Sequence, residues 1–161
     1  MNRTVSAFLL VGVLTALLAV LSIALVNKGY GFGALGSGRL DNIASAATFV
    51  PLAAIYSLAA ALMMLLPLRA AGFVHANAAG PLYSTALVLL STIIGVQAAR
   101  FAFGSREALS VLIDWQFIFA FAIIAAHLTM NELRRNVLLR TIFFVVFLAA
   151  TLACLYWTFR L

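Results

Sequence analysis

Long apolar runs separated by short polar segments dominate this chain, and most charged residues fall near the ends of those runs. The first run, from Val5 to Val26, contains no charged residue. An α-helix rises about 1.5 Å per residue, so about 20 apolar residues cross the roughly 30 Å hydrocarbon core of a bilayer. The pattern therefore predicts membrane-spanning helices. The expected spans are residues 5–26, 43–66, 81–100, 109–130 and 138–159.

The ends of the predicted helices carry recognisable start and stop signals. Asp41 and Asn42 are expected to cap the second helix, and Pro67 to end it. Pro81 suits the first turn of the third helix, because proline needs no hydrogen-bond acceptor there. Pro51 lies in the first third of the second helix and predicts a kink.

The segment 28–42 is rich in glycine and is expected to form a loop, because glycine destabilises a helix. Its residues 31–36 match the spacing G-x-G-x-x-G of dinucleotide-binding proteins. That fingerprint binds a pyrophosphate only between a strand and a helix of a βαβ unit. Here it follows an apolar helix, so the segment is interpreted as an interhelical loop.

Composition supports the membrane interpretation. Hydrophobic residues make up 66% of the 161 residues and charged residues 9%, which is more apolar surface than a water-soluble domain of this size buries. A transmembrane β-barrel would need short segments that alternate apolar and polar residues, whereas these runs are continuous. The predicted fold class is all-α: a polytopic membrane helical bundle of about five transmembrane helices, forming a single domain over residues 1–161.

The charge distribution predicts topology and partners. The formal net charge of +6 is spread along the chain, so a contiguous nucleic-acid-binding patch is not expected. Arg134, Arg135 and Arg140 cluster between the end of the fourth predicted helix and the first residues of the fifth. Because cytoplasmic loops are enriched in arginine and lysine, this segment and the N-terminus are placed on the cytoplasmic side of a bacterial inner membrane. The first run is longer than a signal peptide needs and is interpreted as an uncleaved anchor.

Asp114 is the candidate for a charged group within the bilayer, because it lies about one turn inside the fourth predicted helix. An ionised carboxylate there is costly without a partner. Arg100 and Arg106 lie at the same membrane face and offer an ion pair. Alternatively, Asp114 and Gln97 line a route for protons or cations. Both interpretations stay open.

His75 and His127 are expected on the same membrane side, where they could meet. Two histidines can hold a haem, but no third residue has metal-ligand spacing, and Glu132 is the only acid nearby. Neither a metal site nor a cofactor is therefore predicted, although contact with haem or a pigment stays open. Hydrogen-bonded histidines at the interface are preferred. The single cysteine, Cys154, is interpreted as a packing residue of the fifth helix.

Small residues recur every fourth position in the second helix, at Ala53, Ser57 and Ala61, and this stripe predicts a helix-packing interface. Four acids and two histidines do not assemble a nucleophile with its base in any recognised pattern, so catalysis by this chain is not expected.

Two function classes remain. The first is a small non-catalytic integral membrane subunit that stabilises or helps assemble a larger transporter, respiratory or photosynthetic complex. The second is a self-associating channel or carrier for a small solute or ion, which would use Asp114, Gln97 and Arg100. Transporters often interrupt their spans near the midplane, whereas Gly12, Gly95 and Pro51 lie away from it. The sequence therefore favours the subunit, with lipid and other membrane proteins, or a second copy, as partners.

Overall fold

The computed structural model describes residues 2–43 and 46–160, and 92% of the structure is helical, with no strand in the described part. This confirms the all-α prediction. Seven α-helices are present in the described ranges. They are α1 (Arg3–Asn27), α2 (Phe32–Ile43), α3 (Ala46–Leu65), α4 (Leu68–Val74), α5 (Gly80–Ala102), α6 (Trp115–Arg135) and α7 (Val137–Arg160). A π-helix (His75–Ala79) joins α4 to α5, and a 3₁₀-helix (Arg106–Ile113) precedes α6.

Four helical stretches are long and apolar enough to cross a membrane. They are Arg3–Asn27, Phe32–Leu65, Leu68–Ala102 and Val137–Arg160. The predicted first and fifth spans lie within α1 and α7, and the third lies within α5. The second corresponds to α3, and its residues 44 and 45 lie outside the described ranges. The remaining long helix, α6, ends in a polar turn that contains Arg134 and Arg135.

The prediction of a loop over residues 28–42 is wrong, because most of this segment forms α2. Tertiary packing outweighs the intrinsic cost of glycine in a helix. A Cβ atom added to Gly33 would lie 2.6 Å from the carbonyl oxygen of Ser22 in α1. Only glycine allows α2 to approach α1 this closely. Asp41 consequently lies inside α2, so the prediction that it caps the next helix is also wrong.

The predicted start of the fourth helix at residue 109 is wrong as well. The chain forms a 3₁₀-helix up to Ile113, and Asp114 has an extended backbone (φ −63°, ψ 145°) before α6 begins at Trp115. Asp114 therefore precedes the helix instead of lying one turn inside it. At the other end, α6 continues to Arg135 through the segment expected to be a polar loop. Arginines in its last turn stabilise that extension through the helix dipole.

The segment between the second and third predicted helices, where a connecting loop containing His75 is expected, is also helical, and His75 lies in the π-helix. This wider turn comes immediately before Gly80 and Pro81. Proline has no N–H to donate to the preceding turn, so a local change in helical hydrogen bonding at this point has a physical reason.

The chain divides into two compact units. The first unit contains Met1–Ser45 and Leu87–Ile118, and the second contains Ala46–Ala86 and Phe119–Leu161. In the first unit, α1 crosses α5 at a glycine. A Cβ atom on Gly95 would lie 2.6 Å from the carbonyl oxygen of Gly12, so the two backbones are nearly in contact.

In the second unit, α3 packs along α7. The buried residues of α7 are Phe147, Thr151 and Cys154, whose spacing places them on one face of the helix. The small-residue stripe of α3 is also buried: Ala53, Ser57 and Ala61 are 1%, 8% and 2% exposed. Burial of the stripe agrees with a packing role for it.

Candidate functional site

The first unit contains a cavity of about 550 Å³ with a mixed polar and apolar lining. We call it the polar cavity. Its lining comes from α1, α2, the end of α5 and the 3₁₀-helix. The lining residues are Ile23, Asp41, Gln97, Arg100, Phe103, Ser105, Glu107, Ala108, Ser110 and Val111. Its volume lies within the range typical of small-molecule sites.

An ion pair between α5 and α2 forms part of the lining. Nη2 of Arg100 donates to both carboxylate oxygens of Asp41, at 2.6 Å each. Both side chains are partly exposed, at 38% and 43%, so solvent screens the pair. The sequence offered Asp114 as the partner of Arg100, whereas the structure pairs Arg100 with Asp41.

Gln97 lies one helical turn before Arg100, on the same face of α5. Its Oε1 is buried and has no hydrogen-bond partner in the described structure. A buried amide group without a partner is costly, because the hydrogen bonds that it makes with water in the unfolded chain are lost. The amide oxygen of Gln97 is therefore an unsatisfied acceptor in the cavity lining.

The remaining polar groups come from the chain after α5. Gly104 has a left-handed backbone (φ +88°), which ends the helix, and the N–H of Ser105 donates to the carbonyl of Arg100 at 3.1 Å. The 3₁₀-helix follows, and there the Ser110 hydroxyl donates to the carbonyl of Glu107 at 2.7 Å. This turn places a carboxylate and two hydroxyl groups on the cavity wall.

Two of the four residues expected to form an intramembrane polar site line the cavity, namely Gln97 and Arg100. Asp114 and Arg106 are exposed and do not line it. Neither forms an ion pair with any residue that the structure describes. Sequence reasoning missed Asp41 and Glu107, because both lie in segments that were expected to be loops.

The second unit contains a cluster of aromatic rings around His127, which we call the ring cluster. The His75 ring stacks on His127 with a centroid distance of 4.9 Å, and the Tyr83 ring stacks on it at 4.1 Å. The Tyr56 hydroxyl lies 3.3 Å from Nδ1 of His127, within hydrogen-bond distance. The structure thus brings together the two histidines that the sequence placed on one side, and adds two tyrosines that sequence reasoning missed.

The four rings of the ring cluster come from four different helical elements. Tyr56 is 1% exposed in α3, His127 projects from α6, and His75 lies in the π-helix. Stacked rings contact each other through their faces, whereas a metal ion needs in-plane nitrogen lone pairs that converge. No group of three histidine, cysteine or acidic residues in the described structure is arranged to hold a metal ion. Tyr56 is buried, Tyr83 and His127 are half-buried, and His75 is exposed, so the cluster reaches from the interior to the surface.

No protein-family model, curated protein or solved structure matches this chain. Of the two sites, the polar cavity has space for a ligand, whereas the rings of the ring cluster stack directly on one another.

Proposed function

We propose that this chain spans the membrane and binds a small amine-bearing solute in the polar cavity, as a self-associating channel or carrier. The observation that carries the proposal is the convergence of Gln97, Arg100, Asp41 and Glu107 on one cavity. Polar groups near an apolar span are costly unless they serve a bound solute or one another. Gln97 and Arg100 are also two of the three residues that the sequence offered for a transport route.

The charges of the lining favour a cation. Arg100 contributes one positive charge, and Asp41 and Glu107 contribute two negative charges, so the sum is −1. The Arg100–Asp41 ion pair leaves Glu107 as the uncompensated group of the lining. An ammonium group satisfies a carboxylate and donates to an amide oxygen, while Ile23, Phe103 and Val111 accommodate a short apolar part.

The first experiment measures binding to the purified protein in detergent with ethanolamine, glycerol and acetate as probes. The midpoint of thermal unfolding should rise with ethanolamine and stay constant with acetate, because ligand binding to the folded state stabilises it. Glu107→Gln and Gln97→Leu should abolish the rise. Uptake of labelled ethanolamine into proteoliposomes then tests transport directly.

Asp114→Asn is the matched control, because it removes a carboxylate from the same unit but outside the cavity lining. This variant should keep the response to ethanolamine. If Asp114→Asn loses the response and Glu107→Gln keeps it, the site is at Asp114 and the cavity proposal is wrong. Absence of any response to the three probes would also overturn it.

The membrane topology belongs to the same proposal. We propose that α6 forms a fifth crossing, since 21 residues at about 1.5 Å each extend for about 32 Å. Five crossings place the two termini on opposite sides of the membrane, with the N-terminus in the cytoplasm. Accessibility of a tag at each end in sealed bacterial inner-membrane vesicles checks this. Two termini on one side would exclude α6 as a crossing.

A second candidate function is the non-catalytic subunit of a larger membrane complex. The observation that favours it is the exposure of α1 and α7, in each of which only 17% of the most apolar window is buried. Such helices offer long apolar surfaces to lipid or to a partner helix. Small side chains on such a surface favour a partner helix, because they allow two helices to approach closely.

Extraction in mild detergent, followed by native-gel sizing and mass spectrometry, separates the two candidates. Larger proteins in stoichiometric amounts would support the subunit. A homo-oligomer alone would support the channel or carrier.

A further inference from the structure

A second polar feature lies in the second unit, where three helix ends meet. Arg140, near the start of α7, donates through Nε to the carbonyl of Met64 and through Nη2 to that of Leu65, the latter at 3.2 Å. Arg134, near the end of α6, donates to the carbonyl of Leu66 at 3.3 Å. Both arginines thus bind the unpaired carbonyl groups at the end of α3, which carry its negative dipole end. These contacts hold the two guanidinium groups in fixed positions.

A cavity of about 310 Å³ lies beside these arginines. We call it the arginine cavity. Its lining consists of Leu68, Asn131, Arg134, Arg135 and Arg140. Arg135 forms an exposed ion pair with Glu132 at 3.2 Å, which compensates one of the three positive charges. Arg134 and Arg140 have no carboxylate partner among the described residues, so the lining keeps a net charge of +2.

One donor in this lining is also unsatisfied. Nε of Arg134 is buried and has no hydrogen-bond partner in the described structure. A guanidinium group presents its N–H donors in a planar fork that matches the oxygen atoms of a phosphate. Three guanidinium groups and the amide of Asn131 around one cavity therefore favour a phosphate group over a single-oxygen ligand.

The location indicates where that phosphate would come from. The cavity lies at helix ends, and the ends of membrane-spanning helices lie at the level of the lipid headgroups. Leu68, on its wall, is 81% exposed and offers an apolar contact for an acyl chain. Basic pockets between transmembrane helices bind anionic headgroups in this way. We propose that the arginine cavity binds the phosphate headgroup of an anionic lipid, independently of any solute in the polar cavity.

The experiment follows thermal unfolding of the purified protein in detergent micelles. The micelles contain phosphatidic acid or phosphatidylcholine, and in a third condition inorganic phosphate is added to the buffer instead of a lipid. Phosphatidic acid should raise the unfolding midpoint, and phosphatidylcholine should not, because its choline group cancels the negative charge. Arg135→Gln and Arg134→Lys should each raise the phosphatidic acid concentration for half the effect about tenfold. Arg3→Gln, an equal change of charge in the first unit, should leave it unchanged.

Arg140 is kept intact in these variants because its contacts with α3 make its loss a folding defect. An effect of inorganic phosphate that matches that of phosphatidic acid would identify the phosphate group itself as the ligand and remove the need for a lipid. Equal effects of phosphatidic acid on the wild type, Arg135→Gln and Arg134→Lys would overturn the proposal. So would equal effects of phosphatidic acid and phosphatidylcholine.

Discussion

The two units are both built from apolar helices, but different residues form the contacts between the helices. In the first unit, Gly33 and Gly95 bring backbones together at two crossings, and the chain ends α5 with a glycine turn. The polar cavity lies in the same unit. In the second unit, α3 packs along α7 with large residues such as Tyr56, Met63 and Met64 almost fully buried. The comparison shows two ways of packing helices: backbone against backbone at glycines in the first unit, and burial of large side chains in the second. Each unit still leaves a cavity lined by charged groups.

The largest expected effect concerns the second unit. Ser57→Leu should lower the free energy of unfolding by about 3 kcal/mol, because Ser57 is 8% exposed and a larger side chain would overlap its neighbours. Titration with SDS in mixed micelles measures this. Ser57→Ala is the control and should change stability far less. A stable Ser57→Leu protein would mean that the stripe is not tightly packed.

The corresponding substitution in the first unit is Gly95→Ala. It should cost about 2 kcal/mol, because the new Cβ atom would lie 2.6 Å from the carbonyl oxygen of Gly12 and the backbone must move. The same titration applies. Gly38→Ala, in the same unit, meets no atom within 4 Å and should be neutral or slightly stabilising. Equal stability of the two variants would remove the basis for a glycine-mediated crossing.

A smaller effect is expected in the ring cluster. Tyr56→Phe removes the hydroxyl next to Nδ1 of His127 and should cost about 1 kcal/mol. Tyr83→Phe keeps the ring that stacks on His127 and should cost less. The free energies of unfolding of the two variants check the difference. A larger loss for Tyr83→Phe would show that the Tyr56 contact does not stabilise the cluster.

The smallest effect is expected at Asp114, whose side chain is exposed and forms no ion pair within the described residues. Asp114→Asn should change the free energy of unfolding by less than about 0.5 kcal/mol. Asp41→Asn, which removes the partner of Arg100, should have the larger effect. The reverse order would indicate that Asp114, and not Asp41, is the partner of Arg100.

Sequence reasoning succeeded where the local pattern is sufficient. The runs that predicted spans 5–26 and 138–159 correspond to α1 and α7, because a continuous apolar helix satisfies its own backbone hydrogen bonds. It failed in two segments. The glycine content of residues 28–42 predicted a loop where a helix forms, and the apolar content of residues 109–114 predicted the start of an α-helix that begins only at Trp115. There, contact of α2 with α1 and the local break at Asp114 decided the structure.

The candidate sites show the same division. The sequence by itself determined the helical, apolar character of the chain and singled out Gln97, Arg100, His75 and His127, because polar groups inside or between apolar runs are conspicuous. Only the tertiary structure decided their partners. Asp41 lies 59 residues from Arg100, and Tyr56 lies 71 residues from His127. Such pairs follow from the way helices pack, and helix packing depends on side-chain shape at crossings that local hydrophobic periodicity does not specify.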